Sequence, residues 1–190
     1  GNLMQGRGLI RGRVQPDLGE PNKGLSKELD ALSAYSNSHT FIPLSPHAKN
    51  GLSASAKRGK EIFFSKETQC ATCHKGPYYT DSMPAGSIEQ IVRHDVGTGI
   101  DEPGDPKEKM GPANDTPTLL GISRTAPYLH PGKPETLTDV LTTRNKGDRH
   151  GKTSHLSKEQ IADLVEFLKA LPYEDPEPAA IKAGMQKVTR

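Results

Sequence analysis

Residues 70–74 read Cys70-Ala71-Thr72-Cys73-His74. Two cysteines separated by two residues, with a histidine directly after the second, form the attachment sequence for c-type haem. Each thiol adds to one vinyl group of the porphyrin, and the two intervening residues match the spacing of those vinyls. The next residue is carried under the iron, where His74 can supply a proximal nitrogen. The chain holds 2 cysteines in all, which leaves none for a structural disulfide or a four-cysteine zinc site. A redox-active Cys-x-x-Cys has no need of the histidine. One covalently attached haem c is the expected cofactor.

On the N-terminal side of the motif, the spacing predicts a helix from Ser53 or Ser55 to about Ser65, with Gly59 and Phe63 one turn apart on the same face. A glycine there lets another helix approach closely, and the aromatic ring fills the space beside it. After His74, the run Lys75-Gly76-Pro77-Tyr78-Tyr79-Thr80-Asp81 reads as a turn. A metal-bound histidine usually donates its other ring N–H to a carbonyl or carboxylate, and a main-chain carbonyl of this turn is the expected acceptor. Residues 95–117 form a long Gly/Pro loop expected to cover one haem edge. A short helix follows near Thr136–Thr142, then a basic loop over 144–152.

The last helix is strongly marked. Ser157 is its N-cap, Gln160 completes a capping box, and Leu156 with Ile161 occupies the positions of a hydrophobic staple. Ile161, Leu164, Val165, Leu168 and Leu171 make one apolar stripe, ended by Pro172. Helix, haem motif, long loop and capped final helix together predict an all-α, cytochrome c-like domain over residues 52–172. Its short helices and long loops surround one haem, and the helix of Gly59 crosses the final helix.

The flanks are plainer. Residues 1–24 are polar and Gly-rich, with Arg7, Arg11 and Arg13, and read as a solvated arm. Ser26 opens a short helix with Leu25, Leu29, Leu32 and Tyr35 at helical spacing. The remainder up to residue 51, with Pro43, Pro46 and Gly51, reads as a linker carrying two surface histidines, His39 and His47. Residues 173–190 read as a polar tail with one more helical turn.

Composition agrees with a cofactor-built core. Counted with glycine in place of tyrosine, apolar residues make up about 39% against a norm of roughly 45–50%, a deficit that a large apolar porphyrin offsets. The formal charge of +2 and the lack of aromatic–basic interleaving exclude a nucleic-acid binder. No apolar run approaches the roughly 20 residues needed to span a bilayer. Since c-type haem is attached outside the cytoplasm, the expected compartment is the periplasm or beyond.

From about residue 52 to 172 the chain resembles the C-terminal haem domain of the bacterial di-haem cytochrome c peroxidase superfamily. The likeness is carried by Arg58-Gly59-Lys60 through Phe63, Cys70–His74 with Gly76-Pro77, and His94-Asp95-Val96-Gly97-Thr98-Gly99. Thr116-Pro117-Thr118-Leu119, Thr125-Ala126-Pro127-Tyr128-Leu129-His130 and Leu156-Ser157 continue it in the same order. That superfamily also includes methylamine-dehydrogenase maturation enzymes and cytochrome domains fused to β-propellers. Residues 3–36 look like the tail of a preceding half, in whose missing part such peroxidases carry a second haem. Where the family often has His-Asp-Gly, this chain has His130-Pro131-Gly132.

The ligand opposite His74 decides the chemistry: methionine raises the potential, a second histidine lowers it, and an open position permits catalysis. The resemblance implies a distal methionine after the short helix, and the corresponding place here is His150-Gly151. His150 is thus the first candidate and His155 the alternative. Met4, Met83, Met110 and Met185 lie outside the matched motifs, and an open site remains a further option. Arg124 is a candidate partner for a haem propionate, because guanidinium matches a carboxylate bidentately.

Three functions follow. A six-coordinate haem would make the chain a one-electron carrier with no catalytic residue, working with a redox partner protein or a parent haem complex. Arg144, Lys146, Arg149 and Lys152 suit docking to an acidic face. An open distal site would make it a peroxidase-type enzyme. The third option is an accessory haem domain of a larger multi-subunit oxidoreductase.

Overall fold

Ser53 caps the first helix of the haem-motif region by accepting the Ala56 N–H at 3.1 Å, and the chain then runs helical until just before Phe64. That helix lies within a computed structural model that describes residues 9–10, 13–14, 27–38, 42–82, 92–98 and 112–184. The chain divides into two compact units, residues 1–42 with 84–91 and residues 43–83 with 92–190. In the first, a minimal antiparallel pair, β1 (Leu9–Ile10) and β2 (Arg13–Val14), precedes helix α1 (Lys27–Ser38). Leu29, Leu32 and Tyr35 of the expected stripe are exposed on α1. The rest of the expected arm, His39, the loop tip at 99–111 and all four methionines lie outside the described residues.

The second unit is all-α and cytochrome c-like. It holds α2 (Ala54–Phe63), α3 (Cys70–Cys73), α4 (Leu137–Leu141), α5 (Lys158–Lys169) and α6 (Glu177–Lys182). The capping box on α5 is complete: Ser157 Oγ accepts the Gln160 N–H at 3.2 Å, and Gln160 Oε1 accepts the Ser157 N–H at 2.9 Å. Such a cap is worth about 1 kcal/mol. All five residues of the expected stripe are buried, and Phe167, which sequence periodicity did not single out, is fully buried with them.

Helices α2 and α5 cross at Gly59. A Cβ added there would meet the Asp163 carbonyl oxygen at 1.9 Å, so the two backbones touch. Phe63 and Phe167 pack 5.3 Å apart beside this crossing, and Tyr79 joins them with its ring 5.8 Å from Phe63. Each buried ring contributes roughly 1.5–3 kcal/mol of apolar transfer, so this cluster is the centre of the core. At the rim of the crossing, Asp163 receives both Arg58 nitrogens at 2.7 Å and the Ser55 hydroxyl at 2.6 Å.

The unit extends beyond residues 52–172. In the stretch expected to be a linker, Ser45 donates its N–H to the Pro172 carbonyl at 2.9 Å and its hydroxyl to Lys169. Ala48 is buried nearby with Ala56 and Ala170. In the expected tail, α6 buries Ala180, and Tyr173 accepts a 2.7 Å hydrogen bond from Lys60. Small side chains at 45, 48 and 180 make such packing possible without any periodic apolar signal.

Candidate haem site

Helix α2 ends at Phe63, and the Thr68 hydroxyl ties the following turn back by donating to the Ile62 carbonyl at 2.5 Å. The single turn of α3 then carries both cysteines, which are free and partly buried at the edge of the core. His74 closes that turn by donating its N–H to the Cys70 carbonyl at 3.1 Å. The His74 ring is fixed by the turn after it, where Nδ1 lies 3.1 Å from the Tyr79 carbonyl. A carbonyl only accepts, so Nδ1 carries the proton and Nε2 keeps its lone pair. Tyr79 presents this carbonyl from a left-handed backbone conformation (φ 54°).

The Thr116–Leu119 segment braces the same turn from the other side. Thr80 donates its hydroxyl to the Thr116 carbonyl, and Thr118 donates to the Tyr78 carbonyl at 2.5 Å. His94 lies beside Cys73, with Nδ1 3.7 Å from the sulfur and Nε2 2.7 Å from Asp81 Oδ2. It is held there by a two-way backbone bridge to Asn114. The carbonyl expected from this turn is that of Tyr79, whereas the pairing of Asp81 with His94 beside Cys73 was not foreseen from sequence.

The basic loop brings His150 to this site. The His74 and His150 rings stand 6.1 Å apart, centre to centre. Gly151, with φ +75°, packs so closely that a Cβ would lie 3.2 Å from the Thr68 carbonyl and 3.7 Å from the Cys70 sulfur. Lys152 donates its N–H to that Thr68 carbonyl at 2.9 Å. On the other flank, Arg149 pairs with Asp95 at 2.8 Å and lies against Gly97, which gives the His94–Gly97 motif a structural meaning. His155 and His130 are exposed. Arg124 is exposed too, its guanidinium folded over Gly121 at the end of a short 3₁₀ turn.

No protein-family model matches the chain. It is 34% identical to the hydrazine synthase subunit gamma of Kuenenia stuttgartiensis, over 75% of this chain and 48% of that protein. It is 32% identical to the methylamine utilization protein MauG of Methylorubrum extorquens, over 70% of this chain and 38% of that one. The cytochrome c peroxidase of Escherichia coli is 28% identical, over 75% and 31%. The solved structure of Kuenenia stuttgartiensis hydrazine synthase superposes with a TM-score of 0.59 at 29% identity, covering 75% of this chain and 55% of that chain.

The chain carries a haem domain of the cytochrome c peroxidase superfamily. It spans about half or less of the length of these relatives.

The donor set of the haem domain fits the group. The His74 and His150 ring centres stand 6.1 Å apart, which leaves room for one metal ion between imidazole nitrogens that would each bind at about 2.0–2.1 Å. Burial pulls His74 below the ordinary histidine range, against the Tyr79 carbonyl and Asp81, which push it up. Burial, with His74 alongside, pulls His150 down to about 4. Both rings are therefore neutral at pH 7 and offer lone pairs, the form in which histidine binds metal. Burial pushes the Cys70 thiol up, so it waits as S–H rather than thiolate. Leu119, Leu120, Ile122, Leu129 and Leu156 lie partly buried against the same core as Cys70 and Ala71.

Proposed function

We propose that this domain is a one-electron carrier built around a single covalent haem c, held by Cys70 and Cys73 and ligated by His74 and His150. The observation that carries this reading is the 6.1 Å pairing of the partly buried His74 and His150 rings, with His74 directly after Cys73 and Gly151 packed against Cys70. When bound, haem supplies an iron that alternates between ferric and ferrous states one electron at a time. The chain's own contribution is to hold both imidazoles. The Tyr79 carbonyl orients His74, and the loop over 145–154 holds His150. With His74 and His150 both holding the iron, no place would be left for peroxide or another small ligand. A bis-imidazole set also favours a low potential relative to a methionine ligand.

Arg124 is proposed to pair with a haem propionate, because guanidinium matches a carboxylate bidentately. Arg144, Lys146 and Lys152 flank His150 in the sequence and are exposed, which favours an acidic redox partner. The similarity to a protein named as a synthase subunit supports a second reading, in which the carrier serves a larger haem assembly. Covalent haem attachment puts either version outside the cytoplasm, and no helix among the described residues is long and apolar enough to cross a membrane.

Optical spectroscopy of the haem-loaded chain tests the ligand set. A low-spin spectrum in both oxidation states, unchanged by carbon monoxide or peroxide, is expected. Replacing His150 with alanine should turn the ferric iron high-spin. A parent protein that is already high-spin and reacts with peroxide would refute electron transfer as its role.

A further inference from the structure

Resting on the reading of His150 as the sixth ligand, we propose that Asn145 is the residue that positions it, through a side-chain brace that only an amide can complete. Asn145 is 7% exposed. Its Oδ1 accepts the His150 main-chain N–H at 2.8 Å, while Nδ2 donates to the Gly151 carbonyl and to Thr153 Oγ1, both at 2.8 Å. Thr153, 4% exposed, gives its own proton to the Leu141 carbonyl at 2.6 Å, so toward Asn145 its hydroxyl can only accept. The orientation of the amide follows from its neighbours. A main-chain N–H demands the oxygen, and a carbonyl plus an occupied hydroxyl demand the two N–H groups.

One side chain thereby grips the backbone on both sides of the His150 side chain and ties it to the end of α4. The other anchors of the loop hold different residues. Asp148 accepts the Thr153 and Ser154 N–H groups at 3.0 Å, Thr68 holds Lys152, and Asp95 holds Arg149. Removing Asn145 leaves these in place and frees the one peptide that carries the ligand. Partners that orient a metal ligand typically change metal affinity by about 10–100-fold when removed. Here the same loosening should let the His150 ring leave the iron, with the exposed His155 five residues further along as its rival.

The test uses the haem-loaded full chain and compares Asn145→Ala, Asn145→Asp and Asp163→Asn. The last breaks the Arg58 and Ser55 bonds at the α2–α5 crossing and serves as a control for destabilisation away from the loop. Asn145→Ala should retain covalent haem but show a high-spin ferric fraction and a carbon monoxide complex that the parent does not form. Added imidazole should restore the low-spin spectrum. Asn145→Asp, matched in size but without donors for Gly151 and Thr153, should fall between the two, and it carries the same readout should the alanine variant not accumulate. Asp163→Asn should melt earlier with the parent's spectrum and the parent's indifference to carbon monoxide.

If both Asn145 variants merely melt earlier, with the parent's spectrum, the proposal is overturned. His150→Ala separates the two levels of inference. Should it convert the iron while the Asn145 variants do not, only the role of Asn145 fails. Should it leave the spectrum unchanged, the ligand assignment fails and the brace falls with it.

Discussion

Replacing Gly59 with alanine should force α2 and α5 apart. The new methyl would lie 1.9 Å from the Asp163 carbonyl oxygen, 2.5 Å from its carbon and 2.9 Å from Phe167 Cβ. Ordinary contacts are about 3.5–4.0 Å, so the helices must separate by roughly 1 Å or more, and a gap of that size forfeits about a quarter to a half of each dispersion well. The contacts at stake are those of Phe63 with Phe167 and of the apolar stripe on α5. Overpacking costs about 1–3 kcal/mol, and sometimes more. Because the obstacle is main chain, which cannot rotate away, the upper end or beyond applies. Alanine recovers about 1 kcal/mol in helix propensity, leaving a net loss of about 2–3 kcal/mol. At about 2–4 °C per kcal/mol for a chain of this size, the haem-loaded variant should melt roughly 5–10 °C below the parent. Thermal denaturation followed by circular dichroism measures this, and the haem spectrum at room temperature should not change. A melting temperature equal to the parent's or higher would refute direct backbone contact at Gly59.

Asp163→Asn should destabilise the chain near neutral pH, and the difference from the parent should shrink in acid. Hydrogen bonds from Arg58 and then Ser55 hold the Asp163 carboxyl below its ordinary range against a smaller upward push from burial. A depressed native value contributes stability above about 3.9, lost as pH falls through the native value. Denaturant melts from pH 7 to pH 3 should therefore converge, and a gap that persists unchanged at pH 3 would count against the charged pairing. Charge reversal at the exposed Lys146 and Lys152 should slow reaction of the reduced haem with anionic ferricyanide by about fivefold at low ionic strength. The effect should fade near 1 M salt, where the screening length is about 3 Å. Rates that ignore both charge and salt would remove the basic loop from partner docking.

The local chemistry of this chain is legible in its sequence because it depends on neighbours along the chain. Cys70, Cys73 and His74 have the spacing of a haem attachment sequence. Ser157 with Gln160 announces the final helix, since a capping box closes within four residues. Gly59 and Phe63 mark the crossing face because helical geometry brings them together. The stretch Asn145-Lys146-Gly147-Asp148 has the composition of a turn, yet nothing in it says that the Asn145 amide reaches His150, Gly151 and Thr153.

Only the tertiary structure decided which groups meet across the chain. The family resemblance ranked His150 ahead of the exposed His155, whereas its separation from His74 depends on Thr68, Asp95 and Asn145 holding the loop. The Tyr79 carbonyl on His74, the His94–Asp81 pair and the packing of Ser45 on Pro172 are likewise products of folding. Main-chain carbonyls and N–H groups are the same in every residue, so the bonds they make at long range leave no signature in the order of side chains.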